Sequence, residues 1–281
     1  MQLTTDISVA VKKNPLEALS VAISKLPQPV RFAEGIDEII IKPSIYDPAL
    51  PGNTSLGMMM SVVNVFEDIA KLVVVESDNP IRSAESAFHN LGCTTALSER
   101  VRFKNLSQDE KVPVDFPGNF FQKHEMPETI ENSQFLVNLA TLKAEPNICT
   151  IGGSVKNLFG LIPEKDKSVY HDAIDDVLQD LLFHYKPDFT ILEMTNVVLG
   201  KREEKKTKFV GGVVVGEDPV AIDSYCAKLL GFDPFDIPHL LKAHNQGLGQ
   251  AAVDHINVHG TEHQKTLLEK SLRDCMLPKG I

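Results

Sequence analysis

The fold is decided by residues 38–76, which read EIIIKPSIYDPALPGNTSLGMMMSVVNVFEDIAKLVVVE. The two ends of this stretch, EIIIK at 38–42 and KLVVVE at 71–76, are continuous apolar runs typical of strands buried on both faces. Between them lie a loop rich in Pro, Gly and Asn and an apolar helical pattern at 58–69. A buried strand, a helix and a second buried strand in this order indicate a parallel pair joined by a helical crossover.

The same alternation of strands and helices continues on both sides of this stretch. Further strand-like runs lie at 135–142, 189–193 and 209–216, and further helical patterns begin at Asn14, Lys167 and Asp218. We therefore expect an α/β fold with a mainly parallel central sheet covered by helices on both faces, in a single domain over residues 1–281. The pattern weakens near 94–133, where we expect a less regular insertion or a cap over a site.

The composition limits the classes of partner. The chain has 281 residues, 43% of them hydrophobic, and a formal net charge of -10. An acidic chain is a poor match for nucleic acid, which calls for clustered Lys and Arg. No apolar run is long enough to cross a bilayer, and the first residues lack the layout of an export signal. We expect a cytoplasmic protein with neither a nucleic-acid nor a membrane partner.

The four cysteines indicate thiols rather than a metal centre. Cys93, Cys149, Cys226 and Cys275 are far apart, and no CxxC occurs. Zinc knuckles and ferredoxin-type clusters need closely spaced cysteines, so we predict neither within this chain and name no metal ligands. The expected state is four reduced and mostly buried thiols.

In an open α/β sheet, ligands bind beyond the carboxyl ends of the strands. Lys42 ends the first of the two strands above, and Asn53 and Thr54 lie further along the loop after it. We predict ligand contacts for these three residues. Asp223, five residues into the helix after GEDP, has apolar neighbours, and a half-buried carboxylate needs a partner. It is a further ligand candidate, unless it is a carboxylate of the helix surface.

The most informative junction follows the strand at 135–142. Lys143, Glu145 and Asn147 come first, and the loop IGGSVKNLFG occupies 151–160. Glycines let backbone N–H groups turn toward a ligand, while lysine and asparagine add charge and two-sided hydrogen bonding. The loop matches no nucleotide-binding fingerprint. It predicts either a structural glycine turn or a cradle for a phosphate or carboxylate, with binding residues Gly152, Gly153, Ser154, Lys156 and Asn157.

Several segments resemble the family called domain of unknown function 362. The main one is GGSVKNLFGLIPEKDKSVYH at 152–171, and the others are IIIKPS at 39–44, DPVAIDSYCAKLLGFDP at 218–234, GLG at 247–249 and INVHG at 256–260. This family is often linked to iron–sulfur proteins. Because the chain has no cluster motif and no fused ferredoxin module, the resemblance implies a separate redox protein as a partner.

Two departures from the family pattern concern the site. Lys143-Ala144-Glu145 stands where the family has Lys-Thr-His, which changes one possible ligand or base. The family's acidic strand end and Gly-Pro loop are here Glu193 and a charged loop at 201–208. The run KREEKK within that loop is expected to be solvated.

The motif GG-x-x-K followed by a histidine also resembles, more distantly, the cofactor-binding domain of nickel-dependent lactate racemase. By position the matching residues are Lys156 and His171, while the arginine and the other histidines of that pattern are missing. The sequence therefore names no cofactor. Five other histidines have no ligand spacing to one another and are expected at the surface or at helix caps, namely His89, His184, His239, His244 and His255. His259 and His263 are four apart, but a glycine between them weakens the case for a metal site.

Two function classes follow from this arrangement. The first is an enzyme of small-molecule or cofactor metabolism, with Lys143, Glu145, Lys156 and His171 as catalytic residues around a small anionic substrate. We expect Lys156 and His171 to face one cleft, with Asp175 fixing the histidine ring. The second is a non-catalytic binding or maturation protein that holds a cofactor for an iron–sulfur redox partner.

Overall fold

A computed structural model describes residues 4–145 and 150–276. Its strands are β1 (Thr5–Val11), β2 (Glu38–Pro43), β3 (Lys71–Glu76), β4 (Val101–Asn105), β5 (Lys111–Asp115), β6 (Lys123–Pro127), β7 (Leu136–Glu145), β8 (Thr150–Gly152), β9 (Phe189–Leu199), β10 (Thr207–Gly216) and β11 (Ile256–His259). Nine of them form one sheet in the order β11-β1-β10-β9-β7-β2-β3-β4, with β8 paired to β7, and β5 and β6 form a separate two-stranded sheet.

The helices that surround this sheet are α1 (Pro15–Ser24), α2 (Leu56–Phe66), α3 (Ala84–Asn90), α4 (Cys93–Leu97), α5 (Glu128–Glu131), α6 (Ser154–Asn157), α7 (Ile174–His184), α8 (Pro219–Leu229), α9 (Pro238–Asn245) and α10 (Glu262–Arg273). Two predicted starts are confirmed. Asn14 caps α1 by accepting a hydrogen bond from the Glu17 amide, and Asp218 caps α8 in the same way. The pattern predicted from Lys167 begins instead as a 3₁₀ segment at Ser168–Ala173 before α7.

The α/β fold with a mainly parallel sheet is confirmed. β2 pairs in parallel with β3 and β7, β3 with β4, β7 with β9, and β1 with β11. The antiparallel pairs are β1 with β10, β10 with β9, and β7 with β8. The carboxyl ends of β2, β3, β7 and β9 therefore meet along one edge of the sheet.

Both faces of the sheet are buried, as the continuous apolar run at 38–42 predicts. Ile39 and Ile41 pack into a core that includes residues of α1, α2 and α3. Ile40, between them, points to the opposite core, which includes residues of α7, α8, α9 and α10. Each side chain is at most 1% exposed, and burial of such a side chain stabilises the fold by roughly 1.5–3 kcal/mol. Helices on both faces hold β2 in place.

The region predicted to be less regular, 94–133, has two parts. Its first part includes β4, which forms the edge of the main sheet. Its second part is the β5–β6 hairpin, which α7 holds through the buried carboxylate of Asp180. That carboxylate accepts hydrogen bonds from the amides of Asn119, Phe120 and Phe121. The hairpin also contacts a loop near the site described below, through His124 and Glu164 at 2.9 Å.

Candidate functional site

A cleft of about 450 Å³ opens at the carboxyl edge of the sheet. The chain runs outward from β2 through β3 to β4, and then returns to the other side of β2 with β7 and β9. The strand order therefore reverses between β2 and β7, which is where neighbouring loops diverge and leave a crevice. Lys42 near the end of β2 and Lys143 near the end of β7 both line this cleft.

The cleft is basic although the chain is acidic. Four Asp or Glu residues line it against eight Lys or Arg residues, whereas the whole chain has 38 Asp and Glu residues against 28 Lys and Arg residues. A local excess of this kind attracts small anions. We call this site the basic cleft, and its basic residues are Lys42, Arg82, Lys143, Lys156, Lys165, Lys167, Lys201 and Arg202.

Lys42 lies at the bottom of the basic cleft as the partner of a buried carboxylate. Its side chain is 1% exposed, and its Nζ forms an ion pair with Glu76 and donates to the Pro43 carbonyl at 2.6 Å. Burial lowers the pKa of Lys42, and the charge of Glu76 opposes that shift. Arg82 contacts the other oxygen of Glu76 at 2.9 Å. The predicted ligand lysine is therefore part of a buried charged network.

Lys143 is also buried, at 4% exposure. Its Nζ donates to the Thr141 carbonyl at 2.9 Å and contacts the hydroxyl groups of Thr141 and Ser44. These contacts fix the ammonium beside the end of β2. Lys143 thus adds a positive charge to the wall of the cleft, and these hydrogen bonds fix its position.

Lys156 differs from these two lysines. It follows the Gly-Gly turn on α6, is half-buried and lines the cleft. Among the residues that the structure describes, its ammonium has no hydrogen-bond or ion-pair partner. Asn157 next to it also lines the cleft, but its amide donates to the Lys42 carbonyl and to Asn138. Lys156 is therefore a positive charge available to a ligand, while Asn157 connects α6 to β2.

The Gly-Gly turn does not offer the predicted cradle of open amides. Asp223 is fully buried, and its carboxylate accepts from the Ser154 amide at 2.7 Å and from the Val155 amide at 2.9 Å. These amides begin α6, so an internal carboxylate already occupies the position expected for the ligand. Burial raises the pKa of Asp223, and the two amides oppose that shift. The Asp223 carboxylate and the Ser154 amide are thus paired with each other, and their role as ligand contacts stays a prediction.

Gly153 is required by this arrangement. A Cβ at this position would lie 2.7 Å from the Cγ of Asp223. The residue is glycine because of the close approach of the carboxylate, which supports the alternative of a structural turn. Gly152 and Gly153 still line the cleft, with Lys156 beyond them.

His171 lies in the 3₁₀ segment before α7 and lines the same cleft as Lys156. The ring is exposed and packs against Phe159, with ring centroids 5.4 Å apart. The predicted contact with Asp175 is wrong, because the Asp175 carboxylate faces the Nδ1 atom of His239 at 3.6 Å. His171 lies in the 3₁₀ segment and Asp175 in α7, so the i, i+4 spacing of one continuous α-helix does not apply to this pair. His239 itself is buried at 1% exposure, not at the surface.

Asn53 and Thr54 do not line the cleft within the described residues. The Asn53 side chain donates to the carbonyls of Asp47 and Leu50 and accepts from the Tyr46 amide. Thr54 is buried and accepts from the Ser44 amide. Both residues close the loop after β2 and thereby shape one wall of the cleft. Their predicted role as ligand contacts stays a prediction.

Glu76, Arg82 and Lys167 are among the charged cleft residues that were not predicted from the sequence. Glu76 ends KLVVVE, so the rule that ligands lie beyond strand ends was enough to find it. Lys167 is 9% exposed, and its Nζ donates to the carbonyls of Asp78 at 2.9 Å and Glu164 at 2.6 Å. Burial lowers the pKa of Lys167 to about 8. No spacing signal marks Lys167, because the loop that brings the Asp78 carbonyl to it is 89 residues away in the chain.

The charged loop at 201–208 contributes to the site. Gly200, Lys201, Arg202 and Glu203 line the cleft, so the first half of the KREEKK run is part of its wall and the run is not simply solvated. The Arg202 guanidinium lies over the Tyr46 ring, 4.9 Å from its centroid. Glu193, predicted at a strand end, lies inside β9, which continues to Leu199.

Some predicted residues lie outside the described part of the structure. These are Asn147, Cys149 and the side chain of Glu145. Among the described residues, Cys93, Cys226 and Cys275 are free and buried, and burial raises the pKa of Cys93 to about 11. No group of three or more His, Cys, Asp or Glu side chains over 4–145 and 150–276 is arranged to hold a metal ion.

Comparison with known proteins places the chain in a family. The model of the family described as domain of unknown function (DUF362) matches residues 39–228, which include the Gly-Gly turn and Asp223. The thylakoid-associated protein sll1697 of Synechocystis sp. is 23% identical over 239 residues, which is 79% of this chain and 72% of that protein. Within the described ranges, no helix combines the length and the apolar character needed to span a membrane.

Proposed function

This chain belongs to the family described as domain of unknown function (DUF362), and we propose that it binds a small organic anion in the basic cleft. The bound group would be a phosphate or a carboxylate. One observation carries this proposal: the Lys156 ammonium lines the cleft and has no partner among the described residues. The excess of Lys and Arg around it supports the same conclusion, since a half-buried cation without a counter-charge favours an anionic ligand.

We further propose that the anion is a substrate in small-molecule or cofactor metabolism. Lys156 would hold the anion by a charge-assisted hydrogen bond, a contact worth roughly 1.5–3 kcal/mol. His171 at the edge of the same cleft would exchange a proton with the ligand, since histidine is the side chain that titrates most readily near neutral pH. Lys42 and Lys143 would strengthen the positive potential from below.

Identification of the bound ligand tests the proposal. The chain should be purified from its own host and examined by native mass spectrometry, which we expect to show one bound small anion per chain. Titration of ligand-free protein with inorganic phosphate should show saturable one-to-one binding that weakens as salt is added. Absence of a copurified anion together with no phosphate binding at low salt would refute the proposal.

A second measurement separates an enzyme from a protein that only holds its ligand. The identified anion should be incubated with catalytic amounts of the chain and followed by mass spectrometry. An enzyme converts many equivalents, and the conversion should fall when His171 is replaced by Ala. A holding protein returns the anion unchanged.

A further inference from the structure

We propose that Lys167 is a nucleophile that forms an imine with a small oxo acid bound in the basic cleft. This inference rests on the proposed function, because the carboxylate of the oxo acid would occupy the anion site beside Lys156. The carbonyl carbon of the same molecule would then face Lys167. Lys156 and Lys167 both line the basic cleft, and both follow the Gly-Gly turn in the sequence.

The surroundings of the Lys167 Nζ suit a neutral amine. Its two acceptors are the backbone carbonyls of Asp78 and Glu164, at 2.9 and 2.6 Å. Within the described residues, no carboxylate lies within ion-pair distance of this nitrogen, in contrast to Lys42 with Glu76. A neutral amine has two hydrogens and one lone pair, so two carbonyls satisfy both hydrogens and leave the lone pair available. An ammonium would have a third N–H with no acceptor at a position that is 9% exposed.

Burial and the charges around the Lys167 Nζ also favour the neutral amine. Burial is the largest cause that lowers the pKa of Lys167 to about 8, and the charges of Lys42 and Arg82 lower it further. Glu76 and, to a smaller extent, Glu164 oppose the shift. About half of the amine is then unprotonated near pH 8. A lysine that is desolvated and placed near another cation is the type that reacts with carbonyl groups.

The reaction is balanced without an oxidant or a reductant. The Nζ lone pair forms a bond to the carbonyl carbon, and the carbonyl π electrons move to oxygen. The nitrogen loses a proton and the oxygen gains one, which gives a carbinolamine. The carbon–oxygen bond then breaks, the oxygen leaves as water after a second protonation, and the nitrogen loses its remaining proton. The products are one imine and one water for each amine and carbonyl.

Reductive trapping with glyoxylate tests the inference on the full chain. Purified protein is incubated with glyoxylate at pH 8, the imine is reduced with cyanoborohydride, and the modified lysines are identified by peptide mapping. We expect a carboxymethyl adduct on Lys167 to form at least ten times faster than on Lys165. Lys165 is the matched control, because it lines the same cleft two residues away and is more exposed. The extent of imine formation at Lys167, trapped at each pH by a short pulse of excess borohydride, should rise through pH 8 and level off above it. Equal or faster modification of Lys165 or Lys156 would overturn the inference.

Binding of glycolate, which has the carboxylate but no carbonyl, separates this inference from the proposed function. If glycolate competes with inorganic phosphate and glyoxylate gives no adduct on Lys167, anion binding stands and imine formation is wrong. If neither glycolate nor phosphate binds, the proposed function fails and the imine fails with it. An adduct that disappears in a folded Lys167→Arg variant supports the inference, with folding checked by circular dichroism.

Discussion

The Lys42 ammonium forms a buried ion pair with the Glu76 carboxylate across the adjacent ends of β2 and β3. Arg82 contacts the second oxygen of the same carboxylate, and donates to the carbonyls of Ile45, Tyr46 and Ser77. One carboxylate thus pairs with two cations and joins the loops that follow two strands. Because the charges are taken out of water, each depends on the others for compensation.

Replacement of Glu76 by Gln is expected to destabilise the protein by about 3–5 kcal/mol. The change leaves Lys42 and Arg82 buried without their counter-charge, which is the costly way to break a buried pair. The free energy of unfolding is measured by urea denaturation. Glu38→Gln is the matched control, because Glu38 pairs with Arg102 at an exposed position on the same sheet and should change stability by less than about 1 kcal/mol. Similar losses in both variants would contradict a special role of the buried pair.

Gly153→Ala is expected to destabilise the protein by about 1–3 kcal/mol, as overpacking of a filled site does. The added Cβ would approach the Asp223 carboxylate, which the amides of α6 hold in place. Gly57→Ala in α2 is the control, since its Cβ would meet only the Pro15 Cγ at 3.3 Å and alanine favours a helix. Thermal unfolding of the two variants provides the comparison. A Gly153→Ala variant as stable as the wild type would mean that the turn can accept a side chain.

Asp175 is expected to stabilise the protein through His239 rather than through His171. The His239 ring, whose Nδ1 atom lies 3.6 Å from the Asp175 carboxylate, is the first cause that lowers the pKa of Asp175. A carboxyl group with a lowered pKa stabilises the folded state above its unfolded pKa, and this contribution disappears as the pH falls through the folded pKa. Asp175→Asn should therefore lose stability at neutral pH, with a smaller difference from wild type below about pH 4.

The control for this variant is Asp172→Asn, because Asp172 is exposed on the preceding 3₁₀ segment. It should have little effect on stability at any pH. NMR spectra at neutral pH should show changed ring chemical shifts for His239 in Asp175→Asn and unchanged ones for His171. Changed ring chemical shifts for His171 alone would restore the contact expected from the sequence.

Lys167 is expected to make stability depend on pH in the alkaline range. Its pKa is about 8 in the folded protein, below the usual 10.5, so the unfolded chain holds more protons between these values. Stability attributable to this residue should therefore rise from pH 8 to pH 10.5, by at most about 3 kcal/mol. Comparison of wild type with Lys167→Met by denaturation at several pH values isolates the effect. A difference between the two proteins that is constant over this range would contradict the lowered pKa.

The fold could be predicted because its signals are local. EIIIK and KLVVVE are apolar without alternation, and this pattern is what a strand buried on both faces requires. The predicted boundaries of helices and strands were less accurate where tertiary contacts determine them. The 3₁₀ segment at Ser168–Ala173 replaces the first turns of the expected helix, and nothing in the helical periodicity distinguishes the two.

The candidate site could be predicted only in part. The carboxyl ends of parallel strands meet at one edge, so Lys42 and Lys143 were accessible to sequence reasoning. The contact of Asp223 with the amides that follow the Gly-Gly turn was not accessible to sequence reasoning, because Asp223 is 69 residues away from Ser154 in the chain. A carboxylate of the protein and a carboxylate of a ligand satisfy the same two amides, and residue types cannot distinguish them. Lys167 was missed for a related reason, since its lowered pKa comes first from burial in the fold and then from the charges of Lys42 and Arg82, which are distant in the chain.

Binding of inorganic phosphate to Lys156→Ala tests the central claim most directly. Lys71→Ala is the control, because Lys71 is exposed at the opposite end of β3. Calorimetry at low salt should show an affinity about 10 to 100 times weaker for Lys156→Ala and unchanged for Lys71→Ala, which is the loss of one charge-assisted hydrogen bond. The thermal unfolding midpoint of ligand-free Lys156→Ala should equal that of the wild type, since the ammonium has no partner among the described residues to lose. Equal phosphate affinity in the wild type, Lys156→Ala and Lys71→Ala would contradict the assignment of the basic cleft as the anion site.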